Sequence, residues 1–171
     1  VDIELWSQDR FGENLSIQTS VYNSTPRERH IMIGGDHSLD FGHFAAIANN
    51  IQSDDICLIY VDAHLDAHTP ESSKNEASGA PHGTNVRALC GDGDPRWLKL
   101  LKKSPVLNPE NIFYLASRAY EPSEIQFIRD NDIYMKTPDE MKTIQDYPTI
   151  KNFITVTSDY HIPRATLLLM A

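Results

Sequence analysis

Residues 55–68 read DICLIYVDAHLDAH. The first half is a continuous apolar run, short and without polar alternation, as a parallel strand covered on both faces is. The second half sets Asp62, His64, Asp66 and His68 on alternate positions just beyond it. In an extended stretch, residues two apart point the same way, so Asp62, His64 and Asp66 can share a face. The stretch predicts a buried strand with carboxylate and imidazole groups gathered at its carboxyl end.

Working outward, "RHIMIGG" (29–35) reads as a short buried strand ended by a glycine pair. Residues 39–50 place Leu39, Phe41, Phe44, Ile47 and Ala48 at helical spacing, with Asn49-Asn50 as a stop. The segment 77–97 begins as a loop, enters a short helix near 84–90 and turns at Gly91 to Pro95. "PENIFYLAS" (109–117) is a second strand and "PSEIQFIRDND" (122–132) a helix with a Pro-Ser start. "DIYMKT" (132–137) reads as a strand, "TPDEMKTIQDY" (137–147) as a helix capped by Thr137, and "FITVTSD" (153–159) as a strong strand. Strands alternating with helices predict an α/β domain over residues 1–171, a three-layer α/β/α sandwich with a mainly parallel sheet. Ligands in such sheets bind beyond the carboxyl ends of the strands. There stand Asp36 and His37, then Asp62 to His68, then Asp159 and His161.

Composition narrows the function classes. A net charge of −9 leaves no basic surplus for neutralising phosphates, which argues against a nucleic-acid partner. Cys57 and Cys90 are too few for a disulfide framework and read as free thiols in a reducing compartment. No apolar stretch approaches the ~20 residues of a membrane span, and the first residues carry no basic-then-apolar signal pattern. The expectation is a cytoplasmic protein with no membrane partner.

Mixed carboxylate and imidazole groups suit a divalent ion of intermediate hardness, manganese or zinc. With no thiolate in the cluster, a structural zinc site is disfavoured. Crowded carboxylates repel one another, and burying them unpaired is costly. Two metal ions about 3.5–4 Å apart would relieve this and generate a hydroxide nucleophile near neutral pH. Blander readings exist. "GGDHS" alone is a glycine turn with a capping aspartate, His82 in "PHGT" alone is a loop histidine, and His30 and His43 read as structural or surface residues.

"GGDHSL" (34–39), "DAHLDAHTPE" (62–71) and "SGAPHG" (78–83) together resemble, in order, the motifs of the ureohydrolase superfamily, and of its arginase branch in particular. "PENIFYLASRAYEPSE" (109–124) resembles the arginase strand and loop that read Gly-x-Arg-Asp-x-Asp-Pro-Gly-Glu. The resemblance implies an arginase/deacetylase-like fold, here incomplete at both ends, and hydrolysis of the guanidinium of L-arginine to ornithine and urea. By resemblance the nucleophile is a hydroxide bridging two manganese ions. It places His37, Asp62 and Asp66 on the first ion and His64 on the second, with Asp62 bridging and Asp159 as a further ligand. Asp66 would orient the hydroxide and His82 would shuttle protons, as an imidazole titrating near neutrality can. Ser78 and His68 match positions that bind the substrate's α-carboxylate, and Glu121 matches an aspartate near its α-amino group. A homo-oligomer, trimer or hexamer, is also implied.

Departures from the pattern bear on substrate and on activity. The family's Ser-x-Asp-x-Asp-x-x-Asp-Pro motif is here "TSDYHIPRA" (157–165), so His161 stands where a second metal-binding aspartate is expected. Imidazole is neutral and monodentate, which predicts a weaker second ion. The loop between Asp66 and Ser78 carries extra residues, "SSKNEA". The rivals are a sibling hydrolase acting on agmatine, guanidinobutyrate or formimidoylglutamate, and a non-catalytic truncated relative.

Overall fold

The computed structural model describes residues 9–143 and the backbone of 153–157. Four parallel strands form its sheet: β1 (Cys57–Val61), β2 (Ile112–Leu115), β3 (Tyr134–Lys136) and β4 (Phe153–Thr157), in the order β3-β2-β1-β4. In register, Leu58 lies opposite Ile112 on one side of β1 and Ile154 on the other. Cys57, Leu58, Tyr60 and Val61, which alternate between the two faces of β1, are all buried, which is why its run lacks polar alternation. The chain steps outward from β1 to β2 and β3, then returns across β1 to place β4. The order reverses at β1, and a crevice opens beyond the strand ends at such a reversal.

The helices are α1 (Arg10–Ser24), α2 (Asp40–Ala48), α3 (Pro70–Glu76), α4 (Asn85–Leu89), α5 (Pro95–Leu98) and α6 (Pro122–Asp130). This mixture of helices with a parallel sheet is the expected architecture. The expected segments near 39–50, 84–90 and 122–132 are helical as α2, α4 and α6. Phe41 of α2 stacks on Trp97 of α5, with ring centroids 5.1 Å apart, and Phe11 of α1 closes on the same indole at 5.3 Å. Phe41, Trp97, Tyr60 and Tyr114 are fully buried in one core with Leu58, Val86, Leu89 and Ile112. Burying a large side chain of this kind contributes about 1.5–3 kcal/mol.

Two helices escape the hydrophobic pattern. α1 is capped by Asp9, whose Oδ1 accepts the Gly12 N–H at 3.0 Å. Its inner face carries Phe11, Leu15 and Tyr22 but also the buried Asn14 and Gln18, so its apolar periodicity is diluted. The Gln18 Oε1 accepts the Gly42 N–H at 2.6 Å, satisfying a donor in the first turn of α2 that has no partner within the helix. A side chain at position 42 would collide with the Gln18 carbonyl, so glycine permits this close approach. α3 fills the loop between Asp66 and Ser78. Thr69 caps it reciprocally with Ser72, and Pro70 occupies its first turn.

Two expectations need correction. Residues 30–34 form no strand among the described residues, and Ile31 and Ile33 are 89% and 86% exposed. A β-branched apolar run becomes a strand only beside a pairing edge and a covering layer, and the described sheet ends at β4. The helix expected over 137–147 is a 3-10 turn, Glu140–Thr143, with residues 144–147 outside the described ones. Thr137 still accepts the Glu140 N–H, at 3.4 Å, as its capping role requires.

Cys57 and Cys90 are free thiols. Among the described residues no helix is long and apolar enough to cross a membrane.

Candidate functional site

Asp62 is the first residue beyond β1, at the reversal of strand order, and is 4% exposed. Its two oxygens face different histidines: Oδ2 lies 3.3 Å from His37 Nε2 and Oδ1 lies 3.3 Å from His64 Nδ1. The His64 backbone N–H also donates to Oδ1, at 2.9 Å. Burial pushes the Asp62 carboxyl up, but His37 and the His64 N–H outweigh it and hold the group at about 2.

His37 opens a 3-10 turn, His37–Leu39, that Asp36 caps by accepting the Ser38 N–H at 2.9 Å. The other ring nitrogen of His37, Nδ1, is 2.6 Å from Asp40 Oδ2 on the first residue of α2. Burial pulls the imidazole's pKa down, yet hydrogen bonds to Asp40 and Asp62 raise it to about 10. A carboxylate behind the ring fixes its tautomer and orientation and strengthens Nε2 as a donor atom, as is usual behind metal-ligating histidines. Asn85 of α4 ties the His37 turn to the next motif, its Nδ2 donating at 2.7 Å to the carbonyls of both His37 and His82.

Asp66 is buried at φ 49°, a left-handed conformation that aspartate tolerates better than most residues. Its Oδ2 accepts the Tyr60 hydroxyl at 2.6 Å, and burial raises its pKa. Its carbonyl accepts the Val86 N–H at 3.2 Å, and the His68 N–H donates to the Gly83 carbonyl at 3.0 Å. Residues 66–68 are therefore clipped to 83–86, bringing the second and third motifs together. His64 stands on the rim with its side chain 65% exposed, and His82 Nδ1 lies 3.9 Å from Asp36 Oδ2.

A cavity of about 610 Å3 joins these groups. His37, Asp62, His64, Asp66 and His82 line it, as do His68, Ser78 and Glu121. All the expected site residues within the described region thus face one cavity. Asp159 and His161 lie outside the described residues. Thr157, two residues before Asp159, is the register partner of Val61, the residue before Asp62.

His68, expected beside a substrate carboxylate, also faces two carboxylates of the protein. Its Nε2 is 3.2 Å from Glu121 Oε2 and 3.6 Å from Glu124 Oε2. Glu124 is 2% exposed, accepts the Ala67 N–H at 2.9 Å, and is pushed up to about 8 by burial and by Glu121. Asp40 and Tyr60 are functional candidates that the motifs alone do not single out, and Glu124, the last residue of the 109–124 motif, was given no role there. Glu124 carried one legible signal, its place three residues after Glu121 in a capping box at the start of α6.

The chemistry of this donor set suits a divalent cation, although its ligand atoms do not draw together within 4.8 Å of one another as those of His68, Glu121 and Glu124 do. Asp62 offers one oxygen toward each histidine, Asp66 adds a buried carboxylate on the same cavity, and Asp40 orients the His37 ring.

Comparison with known proteins reaches the same family. The family model described as "Arginase family" matches residues 2–162. An arginase of Staphylococcus aureus (strain MRSA252) is 35% identical over 124 residues, covering 72% of this chain and 39% of that protein. The native structure of the Bacillus caldovelox arginase superposes with a TM-score of 0.64 at 30% identity, over 78% of this chain and 43% of that one. The arginase of Entamoeba histolytica, solved in complex with L-ornithine, matches at TM-score 0.64 and 26% identity, over 77% and 44%. The chain thus spans less than half the length of these relatives. The strand order, the shared cavity and a match over nearly the whole sequence agree: this chain belongs to the arginase family.

Proposed function

We propose that the chain serves metal-dependent hydrolysis of a guanidino compound, with L-arginine as substrate and urea and ornithine as products. The observation carrying this reading is Asp62, a buried carboxylate presenting one oxygen to His37 and the other to His64. Two such faces suit a carboxylate shared between two cations. When bound, a pair of manganese ions supplies a nucleophilic hydroxide near neutral pH and charge for the developing anion. His37 and Asp66 would hold the first ion with Asp62, and His64 would hold the second, with Asp159 completing the set.

The chain's own residues have separate tasks. Asp40 holds His37 with Nε2 toward the site, and Tyr60 holds Asp66 through its hydroxyl. Asp66 would orient the attacking oxygen against the planar guanidinium carbon. His82 stands at the mouth, accessible enough to exchange a proton with water and with a departing amine. Glu121 and Glu124 give the cavity a negative wall suited to a substrate's ammonium group, while Ser78 stands on its exposed rim. The relative solved with ornithine supports an amino-acid product of this type.

The test is product analysis on manganese-loaded protein over L-arginine, agmatine, guanidinobutyrate and formimidoylglutamate. Urea from arginine alone is expected. Urea from another guanidino compound in preference, or formamide from the last substrate, would assign a sibling reaction. Turnover of none would assign a binding role.

A further inference from the structure

Besides the groups around Asp62, the cavity contains a second set of ligand atoms. Among the described residues, one group of histidine and acidic side chains has its ligand atoms all within 4.8 Å of one another: His68, Glu121 and Glu124. From these atoms we infer a second divalent-cation site, distinct from the one at the end of β1, that takes a zinc-like ion with a water in its open position.

The spacing fits such an ion. Ligand bonds of about 2.0–2.2 Å in a tetrahedron separate the donor atoms by about 3.3–3.6 Å. His68 Nε2 lies 3.2 Å from the Glu121 oxygen and 3.6 Å from the Glu124 oxygen. Three protein ligands and an open fourth position are the usual form of an exchangeable zinc site.

The surroundings of each ligand also suit it. His68 Nδ1 lies 3.0 Å from the Ser72 hydroxyl and 3.2 Å from the Ser123 hydroxyl. With Nδ1–H given to a hydroxyl oxygen, Nε2 turns a lone pair toward two carboxylates, an arrangement that calls for a cation or a proton between them. Glu124 is pinned by two backbone donors, Ala67 N–H at 2.9 Å and Glu121 N–H at 3.1 Å. These outer contacts pre-set the ligands, as at established metal sites.

An independent observation comes from Ser73. It is fully buried, it lines the same cavity, and its hydroxyl has no hydrogen-bond partner among the described residues. A side-chain carbon at Gly83 would touch both it and the His68 ring, at 4.0 and 3.8 Å, which places the hydroxyl on the same wall. Buried polar groups are rarely left unpaired, and water carried on a bound ion would supply the missing partner. Glu121 and Glu124 are also the carboxylates that the proposed function offers to a substrate ammonium, so the ion and that ammonium compete for one place.

The experiment uses zinc alone, without substrate. Crystals of the protein equilibrated with zinc are measured at the zinc edge, and zinc affinity is followed in solution for wild type, Glu124→Gln and Ser123→Ala. The expected result is an anomalous peak among His68 Nε2 and the two glutamate oxygens, absent in Glu124→Gln. Ser123→Ala removes only an outer contact and is expected to weaken that ion about 10–100-fold. No peak at this cluster, or an equal peak in Glu124→Gln, overturns the inference. A peak confined to Asp62 overturns it while leaving the proposed function standing, and a peak confined to His68 does the reverse.

Discussion

Asp40 touches no proposed ion, yet the geometry makes it a control on metal affinity. Its Oδ2 is 2.6 Å from His37 Nδ1, a short contact of the charge-assisted kind, and its side chain is 10% exposed. Asp40→Asn keeps the shape and one hydrogen bond but removes the charge behind the ring. Outer contacts of this type are worth about 10–100-fold in metal affinity, or about 1.4–2.7 kcal/mol. Folding of the ion-free protein should weaken as well, because Asp40 is one of the two carboxylates that raise the His37 pKa to about 10 and removing one partner of a buried pair is costly. Asp40 lies in the first turn of α2, where a negative charge contributes about 0.3–1 kcal/mol through the helix dipole. Burial also raises the Asp40 pKa, so removing the carboxylate relieves part of that cost. The assay is manganese titration by calorimetry beside urea unfolding of the ion-free protein. Weakened manganese binding, together with a lowered urea midpoint of the ion-free protein at neutral pH, is expected. Unchanged manganese affinity would refute the reasoning, because His37 would then need no oriented partner.

Further outcomes follow from other contacts. Gly42→Ala should destabilise by about 1–3 kcal/mol through overpacking against the Gln18 carbonyl, although helix propensity alone favours alanine by about 1 kcal/mol; a raised urea midpoint would contradict the close packing. Tyr60→Phe strips the buried Asp66 of its hydroxyl donor at 2.6 Å, and should cost about 1–3 kcal/mol of ion-free stability. His64→Ala should remove turnover chiefly by losing the second manganese, so urea release that persists unchanged would count against its role. Burial, helped by the neighbouring His30, lowers the His43 pKa to about 4 from its ordinary 6.5. Between those values the unfolded chain binds the proton and the folded one does not, so stability is full above about 6.5 and declines as pH falls toward 4. His43→Gln should flatten the difference between urea midpoints at neutral and acid pH, whereas identical pH slopes would deny His43 this part.

The sequence was most readable where one residue pattern reported one physical constraint. An unbroken apolar run at 57–61 means a strand buried on both faces, and β1 is buried so. Asp62, His64 and Asp66 were legible because residue types that crowd and repel rarely sit together without purpose. The alternation itself persists only in part, since Asp66 enters a left-handed turn, where the Tyr60 hydroxyl holds its carboxylate. Residues 30–34 were misread because Ile31 and Ile33 state a preference that only a neighbouring strand can satisfy. α1 was hidden because Asn14 and Gln18 occupy its inner face, and α3 because its only buried residue is Ser73. Thr69 and Pro70 marked the start of α3 nonetheless. Asp40 was out of reach, since its importance lies in a contact with His37 that no spacing along the chain reveals, while the spacing of Glu124 from Glu121 showed a cap but not its approach to His68.

Manganese electron paramagnetic resonance tests most directly whether Asp62 joins two cations. Protein reconstituted with manganese should give the spectrum of a spin-coupled pair, and Asp62→Ala should abolish it. A spectrum of isolated manganese alone, or one that Asp62→Ala leaves unaltered, would contradict the shared-carboxylate centre.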